Sequence, residues 1–145
     1  MHISHKGAAA LTIAAFLATA GVASAQETKF MANLTGAEEV PPVETSATGM
    51  ADVTWNADSK ELSWSIEFSG LSGPASAAHF HGPAAVGANA GPVITIEDLE
   101  SPSEGTATLT DEQAAQLAGG EWYVNVHTEA NPDGEIRGQV TEGSM

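Results

Sequence analysis

Alternation with a period of two residues constrains this chain most. In ELSWSIEFS, residues 61–69, Leu62, Trp64, Ile66 and Phe68 fall on one face, and Ser63, Ser65, Glu67 and Ser69 on the other. An extended strand places residues i, i+2 and i+4 on one side, so the segment reads as a strand with one buried and one wet face. GMADVTWN repeats the pattern with Ala51, Val53 and Trp55 inward, and NADSK between the two is turn chemistry, which predicts a hairpin. KFMANLTG places Phe30, Ala32 and Leu34 on one face. Further strands are expected at residues 77–81, 92–97, 105–109, 122–128 and 135–140, with NPDG turning the chain between the last two. In the last strand Ile136 and Val140 should face in, and Glu135, Arg137 and Gln139 out. About eight short strands in one domain point to an all-β fold, an antiparallel sandwich or flattened barrel.

One segment departs from this period. LTDEQAAQLAGG offers Thr110 as an N-cap, Asp111 and Glu112 in a first turn and Gly119-Gly120 as a stop. It predicts one short helix over residues 111–118, plugging an end of the sandwich through Ala115 and Leu117 or their neighbours. Two loops rich in Gly and Pro stand out, GAEEVPPVETSATG and GPAAVGANAGP.

The first 25 residues read as a secretory signal peptide. His2, His5 and Lys6 precede an apolar, Ala-rich run that ends in Ala23-Ser24-Ala25, the small-x-small pattern cut by signal peptidase. The run is shorter and less apolar than a membrane anchor of ~20 residues. Residues 26–145 are then a single exported domain, periplasmic or secreted, with no membrane insertion expected after cleavage. All 19 acidic residues lie in that part, against Lys29, Lys60 and Arg137. Such a surface repels nucleic acid and anionic lipid, so neither is expected as a partner. The sequence has no cysteine, which excludes disulfides, thiolate metal sites and iron–sulfur clusters.

The histidines carry the functional information. His79 and His81 are two apart on an expected strand, so their rings project to the same side from Cα atoms ~6.5–7 Å apart. Phe80 between them points into the core. In EWYVNVHTE, Trp122, Val124 and Val126 form the apolar face, and Tyr123, Asn125 and His127 the other. If the two strands are neighbours, three imidazoles meet on the outside of the sandwich. Neutral imidazoles suit copper or zinc and not calcium or magnesium. Asn125, Glu135 and Arg137 are candidates to hold these rings in place, although Arg137 is also a natural cross-strand ion pair. Glu38-Glu39 could approach a metal, while Pro41-Pro42 reads as stiffening an extended loop. No nucleophile motif and no phosphate-binding Gly pattern is present. Equally, the histidines could be ordinary polar residues, with His79 or His81 capping the GPAAVGANAGP loop.

LTGAEEVPPVETSATGMADV, AAHFHGPAAVGANAGPVI and EWYVNVHTEANPDGEIRGQV resemble the CHRD domain, from about Phe30 to Val140. That domain occurs in chordin, an extracellular antagonist of bone morphogenetic proteins, and in exported bacterial proteins. The resemblance implies an immunoglobulin-like β-barrel akin to copper/zinc superoxide dismutases. HFHG is similar to the copper-binding H-x-H pair of those enzymes, and VNVHT to their late-strand copper ligand. On that comparison His79, His81 and His127 correspond to three copper ligands. The bridging histidine, the zinc loop and the disulfide of the dismutases have no counterpart here. Three functions follow as expectations: an exported copper-binding protein with zinc as the lesser candidate; a non-enzymatic structural or interaction domain with an exported protein partner; and a degenerate redox enzyme.

Overall fold

The computed structural model describes residues 14–15 and 26–143. The expected signal peptide, apart from Ala14 and Ala15, lies outside the described residues. Eight antiparallel strands form the domain: β1 (Glu27–Thr35), β2 (Thr48–Asn56), β3 (Glu61–Ser69), β4 (Ala75–His81), β5 (Pro92–Thr95), β6 (Ser103–Thr108), β7 (Trp122–Thr128) and β8 (Ile136–Glu142). A 3-10 turn, Gly36–Glu38, follows β1, and the one α-helix among the described residues, α1 (Asp111–Ala118), precedes β7. The strands make one sheet in the order β5-β4-β7-β8-β1-β2-β3-β6, curled over its apolar face into the flattened barrel expected.

The alternation decides the inside. Leu34, Leu62, Ile66, Phe80, Val124 and Ile136 are essentially inaccessible, and each occupies an inward position of its strand. Trp64 stands edge-on to Phe80 with ring centroids 5.2 Å apart, and the Trp122 centroid lies 6.0 Å from that of Phe80. Burying large apolar side chains of this kind stabilises the fold by roughly 1.5–3 kcal/mol each. The hairpin β2–β3 closes with Asn56 opposite Glu61, and Asn56 Oδ1 accepts from the Asp58 and Ser59 amides, both at 3.0 Å. In the NPDG turn Gly134 has φ +124, a backbone region that side-chain-bearing residues avoid.

Helix α1 starts as its sequence dictates. Thr110 Oγ1 accepts from Gln113 N at 3.2 Å, and Gln113 Oε1 accepts from Thr110 N at 2.9 Å, a reciprocal capping box. Leu117 is the residue that plugs the core. Ala115, expected beside it, is exposed, and the half-buried neighbours are Gln113, Ala114 and Gln116. A helical turn of 100° per residue carries position 115 away from the face that Leu117 occupies.

The outward face of β8 corrects a second expectation. Glu135 and Arg137, expected in solvent, are 0% and 3% exposed, and Gln139 is half-buried. They do point away from the core, but loops lie over them. Gln139 Nε2 donates to Ala84 O at 2.9 Å and Gly120 O at 2.7 Å, which fastens the 82–92 loop and the end of the helix to the sheet.

Candidate metal centre

Strand β4 pairs antiparallel with β7, placing His79 opposite Asn125 and His81 opposite Tyr123. His127 is then the diagonal neighbour of His79 on the same outer face, within reach of a ring. The His79 and His127 ring centroids are 5.1 Å apart, those of His79 and His81 5.4 Å, and those of His81 and His127 6.3 Å. One ring nitrogen from each histidine lies within 4.8 Å of the others. His79 Nδ1 is 3.2 Å from His127 Nε2. Two imidazole nitrogens on one tetrahedral ion at ~2.0–2.1 Å stand ~3.3 Å apart, so this pair has nearly the required spacing.

Backbone carbonyls fix the tautomers. His127 Nδ1 is 2.8 Å from Pro132 O, and His81 Nδ1 is 2.9 Å from Ala90 O. A carbonyl only accepts, so each Nδ1 carries the proton and each Nε2 keeps its lone pair. An N–H held by a backbone carbonyl is the usual support for a metal-binding imidazole. His79 is freer to choose: its Nδ1 donates to His127 Nε2, or offers a lone pair once its proton shifts to Nε2. Asn125 stands on the remaining side of His81, its amide tip 2.8 Å from His81 Nε2; with the ring proton on Nδ1, that contact requires the amide N–H to donate.

His79 and His81 favour the neutral form. Burial pushes His79 below the ordinary value of 6.5, and proximity to His127 and His81 adds to this. Burial also pushes His81 down, with His127 and Arg137 adding to it, against the Ala90 and Asn125 hydrogen bonds. Neutral imidazoles at pH 7 are the ligand-competent form. The donor set therefore fits a borderline transition-metal ion.

A layered wall backs His81. Its ring stacks on Tyr123, 4.8 Å between centroids and 3° from parallel. The Arg137 guanidinium lies 3.5 Å from the Tyr123 ring centroid. Since β7 is flanked by β4 and β8, the phenol ring is the middle layer between imidazole and guanidinium. Tyr123 OH donates to Ala90 O at 3.0 Å, the carbonyl that also receives the His81 proton.

Of the three residues expected to hold the imidazoles, Asn125 meets one. Arg137 donates instead to Asn89 Oδ1 at 2.8 Å and to Ala88 O, so it anchors the 82–92 loop rather than forming the expected cross-strand ion pair. Glu135 accepts from Ser72 N at 3.0 Å and Asn131 Nδ2 at 2.9 Å, and ties the NPDG turn to the segment before β4. It stands just ahead of β8, where the turn captures it. Glu39, from the Glu38-Glu39 pair, is 6% exposed and sits beside Gly134 and Asn125. Burial pushes its carboxyl from 4.5 up to about 7, with Asp133 adding, against the Arg137 charge and the Asn125 amide. No periodic pattern marks such a residue, because a loop and not a strand buries it.

Residues 30–140 match the CHRD domain family. No curated protein matches the chain, and no solved structure does.

Proposed function

The chain belongs to the CHRD-domain family, and we propose that it is an exported protein that binds one transition-metal ion through His79, His81 and His127, with copper favoured over zinc. One observation carries this: three imidazoles from two adjacent strands converge, two of them with Nδ1–H held by a carbonyl and Nε2 left with its lone pair. Copper(II) exceeds zinc in affinity for nitrogen donors generally, and the similarity of HFHG and VNVHT to dismutase copper ligands points the same way. Export rests on the N-terminal 25 residues. Among the described residues no helix is long and apolar enough to cross a membrane.

The test is a titration of the metal-free protein with Cu(II), Cu(I) and Zn(II), for the wild type and His81→Ala. One tight site per chain, weakened at least about 100-fold by the substitution, is the expected result. Absence of binding, or binding indifferent to the substitution, overturns the reading.

A second reading has its own support. The His81 and His127 rings already bind the carbonyls of the 82–92 loop and the NPDG turn, so they could serve a metal-free interaction domain by fixing loops. On that reading His81→Ala lowers thermal stability and changes no metal titration. A superoxide assay on the copper-loaded protein addresses the redox alternative.

A further inference from the structure

Glu39 and His81 are the two ends of a polar chain whose middle is Asn125. Glu39 Oε1 is sealed from solvent and has no hydrogen-bond partner. A buried oxygen left this way is costly and calls for a donor. The tip of Asn125 is at hand: a methyl group on Gly134 would touch Glu39 Oε1 and Asn125 Nδ2 together, so both tips share one small space. The other end of the Asn125 amide is 2.8 Å from His81 Nε2. The groups that face Glu39 are Arg137 from β8, Asp133 from the NPDG turn and the neutral Asn125 from β7.

The neutral His81 ring has one N–H, and Ala90 O receives it. Its Nε2 can then only accept, so the amide turns its Nδ2 towards His81 and its Oδ1 towards Glu39. A carboxyl group that keeps its proton supplies the missing donor. Each link of the chain then pairs one donor with one acceptor: Glu39 O–H donates to Asn125 Oδ1, Asn125 Nδ2 to His81 Nε2, and His81 Nδ1–H to Ala90 O.

We propose that Glu39 and Asn125 form a proton-linked latch on the three-histidine centre, so that cation capture by His81 is coupled to loss of the Glu39 proton. The proposal rests on the metal-binding reading above. His81 gives its Nε2 lone pair to the cation and releases the Asn125 Nδ2–H. The amide turns over, and Nδ2 then faces Glu39 and Asp133 O, from which it is 3.5 Å distant. The Glu39 O–H bond breaks, the proton leaves to solvent, and the carboxylate accepts from Asn125. One cation enters and one proton leaves, and the new carboxylate offsets part of the charge brought in beside Arg137.

The experiment counts protons released when Zn(II) binds the wild-type protein and Glu39→Gln, by calorimetry in buffers of different ionisation enthalpy. At pH 6 the wild type releases about one proton more than the variant, and above pH 8 the difference disappears. The ratio of wild-type to variant affinity rises about tenfold between pH 6 and pH 8. Equal proton counts at pH 6 overturn the latch and leave the metal site standing. No Zn(II) binding by either protein overturns the site and the latch with it. Infrared spectra of the wild type alone give a second readout that needs no variant. At pH 6, where ordinary carboxylates are ionised, the metal-free protein shows one protonated-carboxyl band that saturating Zn(II) removes. A band that zinc leaves in place, or no band at all, overturns the latch.

Discussion

His79 Nδ1 and His127 Nε2 face each other across two antiparallel strands at 3.2 Å. The contact is diagonal, because Asn125 occupies the position directly opposite His79. One proton shared between the two nitrogens satisfies both, and a second would set two N–H groups against each other. Replacing His127 by Ala removes the ring whose tautomer is fixed by Pro132 O. Metal affinity should fall at least about 100-fold, while the half-buried position limits the cost to metal-free stability to about 1 kcal/mol. Parallel metal titrations and urea melts check both. A large loss of metal-free stability would show that the ring serves chiefly to hold the turn.

Stability should respond to pH with two opposing signs. His79 and His81 bind fewer protons folded than unfolded, because burial holds them below 6.5. Their contribution is present above 6.5 and is lost as pH falls through their folded values. Glu39 behaves oppositely: its carboxyl rises from 4.5 to about 7 on folding, so stability is full below 4.5 and declines as pH climbs through 7. That rise corresponds to roughly 3 kcal/mol at most. Glu39→Gln should therefore match the wild type near pH 4.5 and exceed it by about 2–3 kcal/mol at pH 8, in urea unfolding at both values. An effect of equal size at the two pH values would contradict the buried, protonated carboxyl.

Arg137→Lys should not be a mild change. The guanidinium donates to Asn89 Oδ1 and Ala88 O and lies over the Tyr123 ring. A lysine ammonium cannot reproduce the fork or the stacking. A loss of about 2–4 kcal/mol is expected, with faster amide hydrogen exchange in the 82–92 loop. Unchanged exchange there would mean that the loop is held without Arg137.

Helix α1 gives a contrast between two neighbouring positions. Leu117→Ala opens a cavity under the helix and should cost about 2–4 kcal/mol. Ala115→Ser touches solvent and should cost less than about 0.5 kcal/mol. Thermal melts of the two variants separate them, and a similar loss in both would argue that the helix is seated on another face.

The legible part of this protein is the part governed by period two. Leu62, Trp64, Ile66, Val124 and Val126 announce their own burial, and His79, His81 and His127 announce a common outer face. What alternation does not reveal is how an outer face is then covered. Glu135 and Arg137 have strand positions that read as wet, and the loops that bury them carry no period. Glu39 is harder still, since its burial depends on where a loop comes to rest. The strand pairing that brings His127 to His79 was likewise conditional in the sequence, because alternation assigns faces and not neighbours.

The sheet order places β4 beside β7, although His79 and His127 are 48 residues apart along the chain. Between the two sides of this seam, along the chain, lie β5, β6 and α1. A cation held across the seam therefore acts as a rivet through the finished barrel: the unfolded chain offers no matching grip, so occupancy adds to global stability by RT ln(1 + [L]/Kd). Strand exchange at the short β5 edge, and the slow escape of the whole chain from its folded form, should both become rarer in the loaded protein.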